Sequence, residues 1–314
     1  MKGENKMIDV ISNLLATTIR LGTPILLASL GEIFCERSGI LNLGLEGIMI
    51  TGAFSSFVAT FITGNIVLGI IASMLSGILV ALLIAFLVVG RHLDQVIVGI
   101  LINLLLLALT ALLFRAIFKP ESGLPHVQTL GKIIIPIFSQ IPVLGPALFM
   151  HDVIVYIALL LSLVFTFILF KTKYGLYIRS VGENPLAADT AGVNVDSIRY
   201  CCLVVGGATG GLAGAYLSIV NLGIFMDNMT ALRGFIAIVI VIFANWRPYG
   251  AVVGSLLFGF SDALQSRLQL IFPNIPWQFF VMLPYIVTIC MLVISVKRGK
   301  AEIPNALLKP YKKE

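Results

Sequence analysis

Apolar residues run along this chain in long blocks separated by short polar breaks. A helix needs roughly 20 residues to cross a bilayer, and most of the blocks reach that length. The predicted spans are Ile8–Leu30, Leu43–Ile62, Ile66–Val89, Gln95–Phe118, Val153–Phe170, Tyr200–Asn221, Gly234–Asn245, Gly250–Leu264 and Trp277–Val296. Arg20 and Pro24 interrupt the first. The seventh and eighth are short for a full crossing. With the turn Trp246-Arg247-Pro248 between them, they read as two tilted spans or as broken helices. The expected fold class is therefore all-α: a polytopic membrane protein with eight to ten helices of roughly 20 residues each. The spans form a single transmembrane domain over residues 1–314. The first block is long for the apolar core of a cleavable signal, and no small-residue cleavage site follows it.

Residues 119–152 break the pattern. Pro120, Pro125, Pro136, Pro142 and Pro146 interrupt its apolar runs, so a continuous spanning helix is excluded there. A structured extracytoplasmic segment is expected instead. Orientation follows from lysine and arginine in short loops. The tail 297–314 carries Lys297, Arg298, Lys300, Lys309, Lys312 and Lys313, which places it in the cytoplasm. Counting back through nine spans puts loops 32–42, 90–94, 171–199 and 246–249 on the same side, and the N-terminus with Lys2 and Lys6 outside.

Composition agrees with the pattern. Of 314 residues, 59% are hydrophobic and 11% charged, and mean hydropathy is +1.04. That charge is too sparse to cover a soluble surface, where roughly 25% is usual. The net charge of +6 reflects loop asymmetry rather than nucleic-acid binding. Cys35, Cys201, Cys202 and Cys290 form no C-x-x-C pair and read as small packing residues. His92, His126 and His151 lack metal-ligand spacing, so no metal or cofactor is expected. The chain carries no Walker A loop and no Ser/His/Asp or Cys/His set. It is thus read as a transport subunit and not an enzyme.

Polar residues in apolar surroundings are the candidate pathway. An ionised group at the bilayer centre costs about 2.5–3.5 kcal/mol on insertion scales. The stretch Glu32–Gly52 nevertheless holds Glu32, Glu36, Arg37, Asn42 and Glu46, loosened by Gly39, Gly44, Gly47 and Gly52. Asn42 and Glu46 are one helical turn apart. They read either as the polar face of a broken helix on a water-filled path, or as a capped turn with Glu46 at the interface. Asn103 and Asn221 complete the substrate-pathway candidates, though a helix-to-helix hydrogen bond explains a single asparagine equally well. Asp262 reads as a solvated or capping residue near a helix end. In the sixth span Gly206, Gly210 and Gly214, with Gly207 and Gly211, form two rows suited to close helix packing.

The loop 171–199 is built differently. Asn184 is a good N-cap, Pro185 fits the first turn, Leu186–Ala191 can form two turns, and Gly192 can end them. So short a helix is marginal in water. With Ala187, Ala188 and Asp189 it suits a groove on a partner, and the alternative is packing on the chain's own underside. Transport against a gradient by this chain would draw on an ion gradient or on another polypeptide.

Two stretches, "ERSGILNLGLEGIMITGAF" and "GLYIRSVGENPLAADTAGVNV", resemble the permease subunits of ATP-binding cassette (ABC) importers of the branched-chain amino acid, ribose and nucleoside group. The resemblance extends over about residues 20–296 and includes "GGATGGLAGAYLS" and "LFGFSDALQ". Glu46 resembles the glutamate of a pattern formed here by Gly39, Asn42, Glu46 and Gly47, where amino acid permeases usually carry glycine. The chain most resembles permeases for purine nucleosides or simple sugars. The resemblance implies alternating access in the cell membrane around a pair of permease subunits. Cytoplasmic ATP-binding cassette ATPases would sit beneath, and an extracytoplasmic substrate-binding lipoprotein above. It also implies that Glu183, Asn184, Pro185, Leu186, Ala187, Ala188, Asp189 and Gly192 form the coupling helix that engages the ATPase. The competing expectation is an ion-coupled secondary transporter of a neutral metabolite, with Glu46 or Asp262 as its proton site.

Overall fold

The computed structural model describes residues 2–118, 125–134, 144–297 and 303–311. Its helices are α1 (Lys2–Arg37), α2 (Leu45–Thr63), α3 (Ile66–Ala85), α4 (Gln95–Ile117), α5 (Leu144–Leu148), α6 (Val153–Lys171), α7 (Lys173–Glu183), α8 (Pro185–Thr190), α9 (Val195–Ala215), α10 (Arg233–Phe243), α11 (Pro248–Ile271) and α12 (Trp277–Lys297). Short π-helical stretches, Phe86–Gly90 and Tyr216–Leu222, extend α3 and α9. Among the described residues, six helices are long and apolar enough to cross a membrane, α1, α2, α3, α4, α6 and α9. The only strands described are β1 (Ile133–Ile134) and β2 (Met150–His151), an antiparallel ribbon of two residues each. Pro120, Pro136 and Pro142 lie outside the described residues. Pro125 begins an irregular stretch that leads into β1.

Several boundaries differ from those the apolar blocks suggest. α1 continues to Arg37, with Glu32 accepting from the Asn42 amide and Glu36 from Trp246 Nε1, which gives both buried carboxyls a donor. α11 is 24 residues long and runs on through Asp262 and Arg267 to Ile271. Asp262 is therefore inside a helix rather than near its end, and its carboxylate faces Arg233 at 3.5 Å. The pairing explains how a charged residue is tolerated there.

Two quartets of helices, α1–α4 and α9–α12, pack with interchanged roles. α9 lies on α3 as α1 lies on α11, and α2 lies on α9 as α10 lies on α1. Directions match as well. Gly77 of α3 meets Gly207 while Ser73 meets Gly211, so that pair is antiparallel. Gly22 of α1 meets Ser255 while Thr18 meets Gly259, so its counterpart is antiparallel too. α1 and α9 themselves run antiparallel, Gly31 meeting Thr209 while Cys35 meets Cys202, so the exchange is that of an inverted-topology repeat. The short sequences Leu45-Glu46-Gly47 and Leu232-Arg233-Gly234 open the two corresponding helices, α2 and α10.

α9 is the centre of the bundle, and its glycines are the reason. A Cβ on Gly207 would lie 2.5 Å from the Gly77 carbonyl oxygen, and one on Gly206 2.7 Å from Cys35 Sγ. A Cβ on Gly210 would lie 2.9 Å from Ile48. Gly211 presses on the Ser73 backbone and Gly214 on that of Met49. One helix thereby touches α1, α2 and α3 at backbone distance, where dispersion contacts are densest. α3, α4 and α6 turn leucines outward, the surface expected against lipid acyl chains.

Candidate functional site

Two places gather the chain's polar residues. The first is where α2 and α10 begin. After Arg37 the chain reverses at Gly39 (φ +90°) and returns, without helix, along the last turns of α1. The Asn42 amide donates to Glu32 Oε1 at 2.8 Å. Asn103 of α4 pins the same stretch: its Nδ2 donates to the Leu43 carbonyl at 2.6 Å, and its Oδ1 accepts from the Gly47 amide at 2.7 Å. α2 then starts inside the bundle, level with the middle of α9, since Ile48 meets Gly210.

Glu46 spans the gap to α10. Its Oε1 accepts from Thr230 Oγ1 at 2.5 Å and from the Leu232 amide at 2.9 Å, and its Oε2 accepts from the Gly234 amide at 2.6 Å. The residue is 1% exposed. α10 has Leu232 at its N-cap, with φ +63° and no side chain able to cap. Glu46 thus does from another helix what an N-cap side chain does locally, and its charge sits at the positive end of α10. Three donors and a helix dipole compensate much of the cost of burying this carboxylate.

Asn42 behaves differently. It is buried, and neither side-chain atom has a hydrogen-bond partner among the described residues. Asn221 does not join this group. It lies half-buried in the π-helical end of α9, eleven residues beyond Gly210, roughly 16 Å along the axis at 1.5 Å per residue. Sequence reasoning missed Thr230, Leu232 and Gly234. Two of the three contributions are backbone amides, which leave no side-chain signal.

The second place is the lower face, where α6, α7, α8 and the start of α9 meet. Asn184 closes α7 and caps α8, its Oδ1 accepting from the Ala187 amide at 3.1 Å. Pro185 takes the first helical position. Gly192, at φ +85°, turns the chain out, with its amide donating to the Asp189 carbonyl at 2.8 Å. Asn194 then caps α9 through the Ser197 amide at 3.0 Å. Within α8 only Ala188 is buried, and Leu186 is 57% exposed. Ala188 packs on the chain's own underside, Pro185 and Asp189 are half-buried, and Leu186, Ala187 and Thr190 are exposed. The ends of α1 and α10 lock together just above. Trp246 Nε1 donates to Glu36 Oε2 at 2.5 Å, and Arg37 donates to the Trp246 and Asn245 carbonyls at 3.1 and 3.3 Å. The described part of the C-terminal tail lies on this same face, its Ala306 amide donating to the Gly182 carbonyl at 2.8 Å.

On the opposite face a chamber of about 290 Å³ is lined by Asn13, Ala16, Thr17, Arg20, Lys132, Met150, His151 and Asp152. Burial pushes the Asp152 carboxyl above its ordinary pKa and the His151 imidazole below. Among the described residues no cluster of His, Cys, Asp and Glu could hold a metal ion.

The comparisons bear on the whole chain. Residues 14–292 match the family described as branched-chain amino acid transport system / permease component. The putative glucose ABC transporter permease protein TsgC13 of Haloferax volcanii is 38% identical, over 96% of this chain and 98% of its own. The guanosine ABC transporter permease protein NupQ of Bacillus subtilis is 37% identical, over 97% of this chain and 98% of its own. The nucleoside ABC transporter permease protein NupC of Lactococcus lactis is 35% identical, over 96% of each. No solved structure matches the chain.

Proposed function

Because the chain belongs to the branched-chain amino acid transport system permease family, we propose that it is the membrane permease subunit of an ABC importer for nucleosides or simple sugars. The single observation that carries this reading is full-length similarity to permeases named for guanosine, nucleoside and glucose transport. ATP hydrolysis belongs to a separate cytoplasmic chain. α8 is the element that this ATPase grips, a role supported by its double cap and its outward Leu186. The lower face is then cytoplasmic, together with the tail, and the chamber at Arg20 and Asp152 faces the substrate-binding lipoprotein. A second permease subunit completes the pathway. With the short α10 and with α11 and α12, the six candidate spans make up the nine crossings or partial crossings of this reading.

Movement follows from the geometry. ATPase closure would load α8, and the helices packed at glycine contacts on α9 would rock as a unit. Asn42, Glu46 and Asn103 stand where α2 and α10 begin, on the proposed solute route. Glu46 is engaged by three donors within the chain, which ties it to the α2–α10 junction rather than to ion coupling. The test is purification in mild detergent with identification of the companions, then uptake in vesicles. ATPase subunits are expected to co-purify, and uptake is expected to stop on ATP depletion and survive a protonophore. The opposite response to the two treatments would replace this reading with an ion-coupled transporter.

A further inference from the structure

The segment Ile303–Tyr311 packs where α7, α8 and α9 meet, and adds contacts of its own to those that join α8 to the spans. Asn305 Nδ2 donates to Glu183 Oε2 at 2.7 Å, beside the Ala306–Gly182 bond. A Cβ on Gly39 would lie 3.1 Å from the Ala306 carbonyl oxygen, so the tail also abuts the reversal after α1. Tyr311 is only 6% exposed. It packs with Val181 of α7, Ala188 of α8 and Val195 of α9. The Arg199 guanidinium stands 6.0 Å from the centre of its ring, and Arg199 Nε in turn donates to the Ser38 carbonyl at 3.3 Å. Ala188 is the one buried residue of α8, so the Tyr311 cluster is what α8 rests on.

We propose that Tyr311 is a positioning residue for transport: it wedges the tail between α8 and the Arg199–Ser38 contact, so that force on α8 reaches α1 and α9. The physical ground is stiffness. A six-residue helix held only by its two loops would yield under load, because its own hydrogen bonds are too few to resist. A close-packed aromatic with a cation over its face passes displacement on to the neighbours it touches. The chain of contact runs from Ala188 through Tyr311 to Arg199, Ser38 and the reversal at Gly39.

This inference rests on α8 being the element the ATPase engages, and the experiment separates the two. Hydrogen exchange is measured on the assembled transporter, with and without ATP trapped on a hydrolysis-deficient ATPase pair. In the wild type, ATP is expected to change exchange at 183–192 and at 35–44. In Tyr311→Ala the change at 183–192 is expected to persist and that at 35–44 to be lost. Tyr311→Phe, which keeps the ring, is expected to restore it. An unaltered response at 35–44 in Tyr311→Ala overturns the proposal. Should that variant fail to retain the ATPases, Tyr311→Leu fills the space without a flat face for Arg199 and is judged by the same criterion. A wild type showing no response at 183–192 would instead defeat the assignment of α8.

Discussion

Glu46 shows how a single carboxylate can hold two helices whose sequence positions are far apart. Its two oxygens receive three donors from residues 230–234, and each bond to a charged acceptor contributes about 1.5–3 kcal/mol. Glu46→Gln keeps the shape but removes the charge and turns a donor toward the amides of α10. We expect it to destabilise the protein by about 1–3 kcal/mol, read as a lower melting temperature in mild detergent. Thr230→Val removes one donor and leaves two, so its loss should be the smaller. Equal melting of Glu46→Gln and wild type would show that the α2–α10 junction is held by packing alone. Asn103 was legible only as an intramembrane amide with two equally good explanations. The structure spends both ends of that amide on Leu43 and Gly47, which needs the fold of 38–44 to be known first. Asn42 keeps its side chain free of partners among the described residues, a distinction that residue type alone could not draw.

At the scale of elements, space and conformation make different demands on glycine. A Cβ at Gly211 would press into the Ser73 backbone of α3. Gly211→Val should therefore cost at least about 1–3 kcal/mol by overpacking, or abolish assembly. Gly192 has open space around it but a left-handed φ of +85°. Gly192→Ala should cost only about 1–2 kcal/mol from the backbone conformation, and its effect should fall on α8 and not on the bundle. Thermal unfolding of the two variants side by side checks both statements. Leu186→Ala is a third case. The side chain is mostly exposed, so chain stability should stay within about 0.5 kcal/mol, while retention of the ATPase during purification should drop. Normal retention would remove Leu186 from the proposed interface. The short helix itself was readable from Asn184, Pro185 and Gly192, since caps act on neighbours a few residues away. Its rest on Tyr311 was not readable, because that contact closes a separation of more than a hundred residues.

For the whole molecule, the solvent is the deciding fact. Leu104 of α4 and Leu160 of α6 are 61% and 59% exposed, a poor arrangement in water and the expected one in acyl chains. Arginine at either position should cost about 2.5–3.5 kcal/mol on insertion. Less of the variant protein should then resist carbonate extraction from membranes. A variant integrated as fully as wild type would mean that these faces meet protein or water rather than lipid.

The length and spacing of apolar blocks, by themselves, determined that this is a helical membrane protein, and approximately where most of its helices run. The bilayer imposes that: each backbone amide must be paired within its own segment, so hydrophobic length and helix length coincide. The capped turn at 184–192 was determined likewise by local chemistry. Only the tertiary structure decided that α2 and α10 start inside the bundle, that Glu46 caps α10, that Asp262 pairs with Arg233, and that the tail returns between α8 and the spans. These depend on which helices meet and at what height. Such contacts are set by packing between distant parts of the chain, and no periodicity along the sequence records them.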